Sequence, residues 1–228
     1  MESERILSVG SMLNLFVDEH RTKEQLEPYG IHRPQFVNLN PDQLQDEKEC
    51  LSLVENSLQF PVVAKVVASD ILHKTECQAV RLQIRSEHEL RETLNTFQQT
   101  FGDHQVLVEE YVPHQIEFIL GAKQDKVFGS IVLFGAGGLF TELYRDVSFR
   151  KIPVSSTDIS QMVFSTKIGQ VFNGFRRLQL PLESIITAIQ GIAQFTQDEK
   201  KIIELDVNPL IIQDERPVAL DASMHRSE

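Results

Sequence analysis

The sequence predicts an α+β fold built mainly from antiparallel strands, and three features carry that prediction. Helical and strand patterns are interspersed along the 228 residues without an internal repeat. Several neighbouring strand segments are joined by short polar turns, which antiparallel pairs allow and parallel pairs do not. Two apolar runs near the end of the chain are separated by Asp214-Glu215, a pattern typical of a hairpin. A uniform βαβ sheet is therefore not expected.

Residues 22–101 are predicted to mix helices and strands. Thr22 and Gln25 have the spacing of a capping box, which predicts a helix over 22–29 that stops at Gly30. Ser86 and Glu89 have the same spacing ahead of apolar residues at helical intervals. Apolar runs and alternation predict the other elements, which are strands at 31–37, 60–68 and 80–84 and a helix at 44–57.

The rest of the chain is predicted to continue with strands, two helices and the hairpin. Strands are expected at 105–112, 116–123 and 127–134, and helices at 158–172 and 181–197. In an extended strand successive side chains alternate between faces. Glu204, Asp206 and Asn208 should therefore share one face, whereas Ile203, Leu205 and Val207 take the other.

The hairpin is the segment that most favours a metal site. Reversal at Asp214-Glu215 places Asp221 opposite Asn208 or Pro209. Asp206, Asn208 and Asp221 would then present three hard oxygen ligands on one patch, as a divalent cation that bridges phosphates requires. A solvated acidic strand is the plainer explanation.

Composition limits the class of protein. The chain has 22 basic and 33 acidic residues, for a formal charge of −11. Nucleic acids and anionic membranes select basic surfaces, so neither is an expected partner. No apolar run is long enough for a spanning helix, and the charged start Met1-Glu-Ser-Glu-Arg5 does not resemble a secretion signal. We expect a cytoplasmic location.

Two segments contain groups suited to an anion. Lys65 lies inside an apolar strand, where its ammonium must meet an anion such as a phosphate or extend to solvent at an edge. Gly135-Ala-Gly-Gly138 follows another apolar strand, and glycines let backbone N–H groups turn towards an anion. A simple turn explains the glycines equally well.

Two further segments carry carboxylates and a histidine. Glu109 and Glu110 end a strand and Glu117 follows, so these carboxylates could accept from ribose hydroxyls or could be solvated. His73 and Lys74 lie in a polar loop between two strands. An imidazole can act as a nucleophile towards phosphorus beside a lysine, or it can be an ordinary surface residue.

Seven short motifs, in order along residues 26–222, resemble one known family. They are Phe60-Pro-Val-Val-Ala-Lys65, Asp70-Ile-Leu-His73-Lys74, Phe128-Gly129, Phe134-Gly-Ala-Gly-Gly138-Leu-Phe-Thr-Glu142, Asp146, Phe149-Arg150 with Pro153, and Glu204-Leu-Asp-Val-Asn-Pro-Leu210. The family is the ATP-grasp (β) subunit of ADP-forming acetate–CoA ligases, also called NDP-forming acyl-CoA synthetases.

The resemblance implies an ATP-grasp fold in which two α+β lobes clamp a nucleotide. It implies an N-terminal extension over 1–19, a nucleotide-clamping lobe over 20–110 and a lobe with the metal-binding hairpin over 111–228. The nucleotide-binding residues implied are Lys65 at the phosphates, Glu109, Glu110, Tyr111 and Val112 at the adenine hinge, Glu117 at the ribose, and Gly137 with Gly138. The magnesium ligands implied are Asp206, Asn208 and Asp221.

The resemblance also implies an activity and a partner. The family interconverts acyl-CoA, ADP and phosphate with free acid, CoA and ATP. His73 would relay the phosphoryl group as a phosphohistidine, with Lys74 and Glu142 in the same catalytic group. Mg²⁺ and ATP or ADP are the implied cofactors. A CoA-binding α-type subunit or fused domain is the implied partner, in a hetero-oligomer.

One departure from the family pattern favours a second hypothesis. The family loop after His-Lys reads Asp-Val-Gly-Gly-Val, whereas this chain has Glu76-Cys-Gln78-Ala79-Val80. Both glycines that could adopt a positive φ are lost. Likewise, Arg177 replaces the last glycine of a Gly-x-Arg-Gly pattern. The alternative is a degenerate, non-catalytic ATP-grasp module that senses nucleotide or scaffolds a larger synthetase-like or acetyltransferase protein.

Overall fold

The computed structural model describes residues 16–67, 78–102, 104–138, 141 and 145–227. These residues fall into two compact units. Pro34–Pro113 form the smaller unit, and the described residues up to Arg33 together with those from His114 onward form the larger one. The predicted α+β class is confirmed, because each unit combines helices with antiparallel sheet. No helix of the described ranges is both long and apolar enough to cross a membrane.

Strands and helices are interspersed along the described residues. The strands are β1 (Phe16–Val17), β2 (Phe36–Leu39), β3 (Val62–Val67), β4 (Val80–Ile84), β5 (Gln105–Glu110), β6 (Phe118–Asp125), β7 (Gly129–Ala136), β8 (Val147–Lys151), β9 (Ile202–Gln213), β10 (Arg216–Ala219) and β11 (Ala222–Arg226). The helices are α1 (Glu19–Leu26), α2 (Pro41–Leu44), α3 (Glu47–Ser57), α4 (Glu87–Phe101), α5 (Ser156–Phe164) and α6 (Leu182–Asp198). Short 3₁₀ segments at Glu27–Tyr29 and Ile168–Asn173 follow α1 and α5.

The smaller unit is a four-stranded antiparallel sheet in the order β2-β5-β3-β4. Helices α3 and α4 contribute buried apolar side chains to its core, among them Val54, Leu90 and Phe97. The hydroxyl of Ser86 caps α4 by accepting from the Glu89 N–H at 3.2 Å. The core therefore anchors β3 and β5, the two strands that carry the predicted nucleotide-binding residues of this unit.

The larger unit contains an antiparallel sheet in the order β1-β11-β9-β6-β7-β8, with β10 also paired to β9. Helices α5 and α6 pack on one face of this sheet, where their apolar side chains meet those of β6, β7 and β9. Leu120, Phe134 and Val207 are fully buried on that face. Alternation places Asp206 on the opposite face, in a row with Gly121, which pairs with it directly.

Several predicted boundaries in residues 16–67 were wrong, and capping explains them. The helix predicted at 22–29 begins at Glu19, since Asp18 is the residue that accepts from the Arg21 N–H. Its stop at Gly30, with φ of +82°, is as predicted. The helix predicted at 44–57 is divided into α2 and α3, because Asn40 and Asp46 each cap a separate helix. The strand predicted at 31–37 lies instead at Phe36–Leu39.

Further differences lie in the larger unit. The helix predicted at 158–172 ends at Phe164 and is followed by the 3₁₀ segment, and strands β1, β8 and β11 were not predicted. Ile203 is 39% exposed, whereas Ile202 takes the core position. The reason is a bulge, since Glu204 pairs with His225 but Ile202 pairs with Arg226.

Residues 20–33 lie with the larger unit, not with the segment 34–113. Helix α1 packs against β11, and its Leu26 is fully buried in the core that α6 forms. The compact smaller unit therefore starts after Arg33, later than the lobe boundary expected at residue 20. The nucleotide-clamping role assigned to that lobe stays a prediction.

Candidate functional site

The predicted hairpin register is confirmed. β9 pairs with β11 so that Val207 lies opposite Ala222, and β10 continues the same register on the other side of the turn. Asp221 therefore lies opposite Asn208, whose backbone N–H donates to the Asp221 carbonyl at 3.1 Å. The reversal at Asp214 is a tight turn, as the sequence indicated. The hairpin brings all three predicted metal ligands to one stretch of sheet.

Asp206 has a partly buried carboxylate beside a like charge. Burial, and next the negative charge of Glu204, raises the pKa of Asp206 to about 6. No group in the described ranges donates a hydrogen bond to this carboxylate. Its neighbours across the ladder are Gly121 and Ser223. A cation would offset the cost of ionising Asp206 in this setting.

The donor set fits a magnesium ion. Magnesium is usually held by one or two carboxylates and by the phosphates of its nucleotide, not by a cage of protein ligands. Asp206 and Asp221 supply carboxylates, and Asn208 supplies an amide oxygen. Within the described ranges, no three His, Cys, Asp or Glu side chains form a metal-binding group. A magnesium ion here would therefore depend on oxygens of its nucleotide.

The glycine-rich segment after β7 contacts the hairpin at Asn208. The Gly138 N–H donates to Oδ1 of Asn208 at 2.9 Å, and the Gly137 N–H donates to the carbonyl of Glu117 at 2.8 Å. Gly138 has φ of +72°, and a Cβ added there would overlap Oε2 of Glu117. A Cβ on Gly137 would likewise overlap the Phe118 carbonyl. Close approach thus requires both glycines, and their amides bind protein acceptors in this structure.

Glu117 is held from a second side by His114. Nε2 of His114 lies 2.8 Å from Oε1 of Glu117, and the side chains are 21% and 33% exposed respectively. The sequence suggested no role for His114. The one available signal was its spacing of three residues from Glu117, in the short loop between β5 and β6.

Lys65 and Glu109 form a buried ion pair in the smaller unit. The ammonium lies 2.7 Å from Oε2 of Glu109, and the side chains are 8% and 4% exposed. The pair joins neighbouring strands, since β3 and β5 are hydrogen-bonded and Lys65 lies opposite Leu107. Sequence reasoning anticipated that Lys65 would need an anion and missed that Glu109 provides one.

The predicted hinge residues after Glu109 are tied into the same unit. The Glu110 N–H donates to the Gln35 carbonyl at 2.9 Å, and the Tyr111 N–H donates to the Pro61 carbonyl at 3.1 Å. The Tyr111 hydroxyl accepts from the Gln83 side chain at 2.8 Å. Val112 is buried, whereas Glu110 is exposed. The backbone leaving β5 is therefore fixed in place.

The predicted catalytic residues His73, Lys74 and Glu142 lie outside the described residues. The loop position that follows them is described. Gln78 has φ of +57°, which is the conformation that a glycine adopts without strain. Ala79 is fully buried and its φ is not positive. Of the two positions where the family pattern has glycine, only position 78 has a backbone in the left-handed region.

Asp146 has a structural role. Its two carboxylate oxygens accept from the backbone N–H groups of Lys167 and Ile168 at 2.8 and 2.7 Å. Its own carbonyl accepts from the Ala136 N–H at 3.0 Å. Asp146 thus ties the end of β7 to the 3₁₀ segment at Ile168.

Comparison with known proteins identifies the fold. The family model described as an ATP-grasp domain matches residues 13–225. The chain therefore belongs to the ATP-grasp domain family, and the predicted ATP-grasp fold is confirmed. Its homologues include the β subunit of an ADP-forming acetate–CoA ligase I from Pyrococcus furiosus, which is 29% identical over 214 residues that cover 90% of each chain.

Other relatives are longer. An ADP-forming acetate–CoA ligase II from Archaeoglobus fulgidus is 30% identical over 204 residues, which are 90% of this chain but 29% of that protein. The chain thus spans under a third of the length of this relative.

Solved structures also match the fold of this chain. Acetyl-coenzyme A synthetase 1 of Ca. Korarchaeum cryptofilum, in complex with coenzyme A and Ca-AMPCP, matches with a TM-score of 0.83 at 29% identity over 98% of this chain and 99% of that one. A second structure of that enzyme contains Mg-AMPPCP, with a phosphohistidine segment pointing towards the nucleotide-binding site, and matches with a TM-score of 0.79 at 30% identity over 93% of each chain.

Proposed function

We propose that this chain is the nucleotide-handling part of an ADP-forming acid–CoA ligase. It would bind Mg-ATP or Mg-ADP and exchange a phosphoryl group with a CoA-binding α-type partner, so that acyl-CoA, ADP and phosphate are interconverted with acid, CoA and ATP. A phosphohistidine at His73 carries the group, and Lys74 and Glu142 act beside it. The activity fits a cytoplasmic protein, since its cofactors are intracellular metabolites.

The observation that carries the proposal is the setting of Asp206. Its carboxylate is partly buried, has no hydrogen-bond donor in the described ranges and lies on one strand face with Asn208. Such a carboxylate is costly in an isolated protein, and a bound cation offsets that cost. Asp206, Asn208 and Asp221 would hold magnesium, which neutralises charge on the transferring phosphate when bound.

The other residues would bind and orient the nucleotide. Glu117 accepts from the ribose hydroxyls, as an ionised carboxylate has only acceptors. The segment over Glu109–Val112 offers its edge to the base. Lys65 brings a positive charge to the phosphates, and Glu109 fixes where that ammonium lies. Gly137 and Gly138 would line the nucleotide site beside Glu117, where the absence of a side chain lets the backbone lie against Phe118 and Glu117.

Calorimetric titration of Mg-ADP tests nucleotide binding. Wild-type protein is expected to bind it, and EDTA is expected to abolish binding. Asp206→Ala should weaken binding at least about 10-fold through loss of a metal ligand. Glu204→Asp is the matched control, because it keeps the negative charge that acts on Asp206 and Glu204 has no assigned ligand role. Equal affinity of wild type and Asp206→Ala would contradict the metal site.

The second candidate function is the non-catalytic module, and Gln78 is the observation that favours it. A glutamine with φ of +57° stands where the family pattern has a glycine. Its Cβ obstructs a close approach of the backbone to phosphate. Under this candidate, Mg-ADP binds but no phosphoryl group reaches His73.

Labelling of His73 separates the two functions. The chain is incubated with γ-labelled Mg-ATP, and with a CoA-binding partner subunit, acyl-CoA and labelled phosphate in a second reaction. Label that is acid-labile and absent from His73→Asn supports the relay. Binding of Mg-ADP without label under either condition supports the non-catalytic module.

A further inference from the structure

We propose that His114 is a positioning residue for Glu117, and that a continuous series of contacts runs from His114 through Glu117 and Gly138 to Asn208. The inference rests on the proposed function, because it assigns Glu117 to the ribose and Asn208 to the metal. It adds a residue to which neither the motifs nor the family pattern gave a role.

The first step is the hydrogen bond between His114 and Glu117. Nε2 of His114 lies 2.8 Å from Oε1 of Glu117. An ionised carboxylate has only acceptors, so Nε2 must carry the hydrogen in this contact. In this contact Nε2 is therefore the donor nitrogen of the imidazole, and Oε1 of Glu117 faces the loop that carries His114. Both side chains are more than half buried, which strengthens a hydrogen bond to a charged acceptor.

The second step is the packing of Glu117 against Gly138. Oε2 of Glu117 occupies the place where any side chain at position 138 would begin, and φ of Gly138 is +72°. The backbone is also fixed here, because the Gly137 N–H donates to the Glu117 carbonyl at 2.8 Å. With Oε1 held by His114 and Oε2 set against Gly138, the carboxylate has one defined orientation. Fixing a ligand-binding group in advance reduces the entropy lost on binding.

The third step links this carboxylate to the metal end of the site. The Gly138 N–H donates to Oδ1 of Asn208 at 2.9 Å. The Asn208 N–H donates in turn to the Asp221 carbonyl at 3.1 Å. Glu117 and the proposed metal ligand Asn208 therefore both contact the same residue, Gly138. His114 thus acts on nucleotide binding through Glu117, without contacting the nucleotide itself.

The test is a thermodynamic cycle that combines a substitution in the protein with removal of the ribose hydroxyls from the nucleotide. Affinities of Mg-ADP and of Mg-2′,3′-dideoxy-ADP are measured for wild type, His114→Ala and Glu117→Gln. If His114 acts through the ribose contact, His114→Ala should weaken Mg-ADP about 5- to 10-fold but Mg-dideoxy-ADP by less than about 2-fold. His114→Gln should restore most of the affinity for Mg-ADP, since its side-chain amide can donate to the same oxygen.

The outcomes separate this inference from the function it rests on. Equal losses of both ligands in His114→Ala would overturn the positioning role alone. Wild-type protein that binds neither ligand with magnesium would overturn the proposed function, and this inference with it. If His114→Ala does not fold, the contrast between His114→Gln and the shorter His114→Asn carries the same test. A His114→Asn variant that binds both ligands as tightly as His114→Gln would contradict the proposal.

Discussion

Lys65 and Glu109 form a 2.7 Å ion pair between adjacent strands, and both side chains are almost fully removed from solvent. A buried pair of this kind contributes little net stability, yet loss of one partner removes the opposite charge beside a buried ionised group and is strongly destabilising. Substitutions at position 109 are therefore expected to affect stability as well as ligand binding. For variants of this pair, loss of nucleotide binding and loss of stability must therefore be measured separately.

Lys65→Met is expected to lower the free energy of unfolding by about 3–5 kcal/mol, because it removes the positive charge that lies 2.7 Å from the buried Glu109 carboxylate. The double variant Lys65→Met with Glu109→Leu should recover much of that loss. Urea denaturation of the four proteins in the cycle measures the coupling. Additive losses in the double variant would mean that the two charges do not depend on each other.

Asp206→Asn is expected to stabilise the metal-free protein at neutral pH. The folded state raises the pKa of Asp206 from 3.8 to about 6. The native state therefore binds this proton more tightly than the unfolded chain, and the associated stability is present below about pH 4 and is lost as pH rises to about 6. The gain from Asn should be about 1–3 kcal/mol near pH 7.5 and close to zero near pH 4.

Denaturation in EDTA at these two pH values measures the effect. The difference between Asp206→Asn and wild type must grow as the pH rises. A difference that is the same at both pH values would show that burial does not penalise the ionised carboxylate. Magnesium with ADP should reduce or reverse this difference at neutral pH, because the ionised carboxylate of the wild type binds the metal more tightly than an asparagine amide does.

Gly138→Ala is expected to destabilise the larger unit more than Gly129→Ala. Both glycines have positive φ, +72° and +75°, so both alanine variants carry backbone strain of about 1–2 kcal/mol. An added Cβ meets nothing at Gly129 but overlaps Glu117 at Gly138. Gly138→Ala should cost about 1–3 kcal/mol more and should also weaken Mg-ADP binding. Equal unfolding free energies for the two variants would refute the close approach.

Arg177→Gly is expected to stabilise the protein by about 0.5–1 kcal/mol. Arg177 has φ of +70° in an exposed turn, and glycine relieves that strain while increasing the freedom of the unfolded chain. Lys200→Gly is the control, since Lys200 is also exposed but its φ is not positive. Glycine at position 200 should be destabilising. Chemical denaturation of both variants measures the contrast, and a loss at position 177 would argue against strain there.

Alternation and charge were enough to predict the hairpin of the candidate site. The break at Asp214-Glu215 fixed the turn, and the turn fixed the register that places Asp221 opposite Asn208. Local rules succeed here because the contacts are only about a dozen residues apart. The helix stop at Gly30 and the cap at Ser86 were predicted for the same reason.

Contacts between distant segments could not be predicted. Nothing local indicates that Gly138 meets Asn208, which lies 70 residues further along the chain. The Lys65–Glu109 pair depends on β3 being the neighbour of β5, a matter of sheet order that neither strand specifies alone. The bulge that exposes Ile203 arises from pairing with β11, a strand that the sequence did not reveal.

The order of the strands also determines when each unit can fold during synthesis. The smaller unit is one continuous stretch, Pro34–Pro113, so all its contacts are available once that stretch leaves the ribosome. In the larger unit β1 pairs with β11, with Phe16 opposite His225. That sheet cannot be completed until nearly the whole described chain has been synthesised. Closing so long a loop slows its folding. Until then, the strands of this sheet that are already synthesised lack part of their pairing.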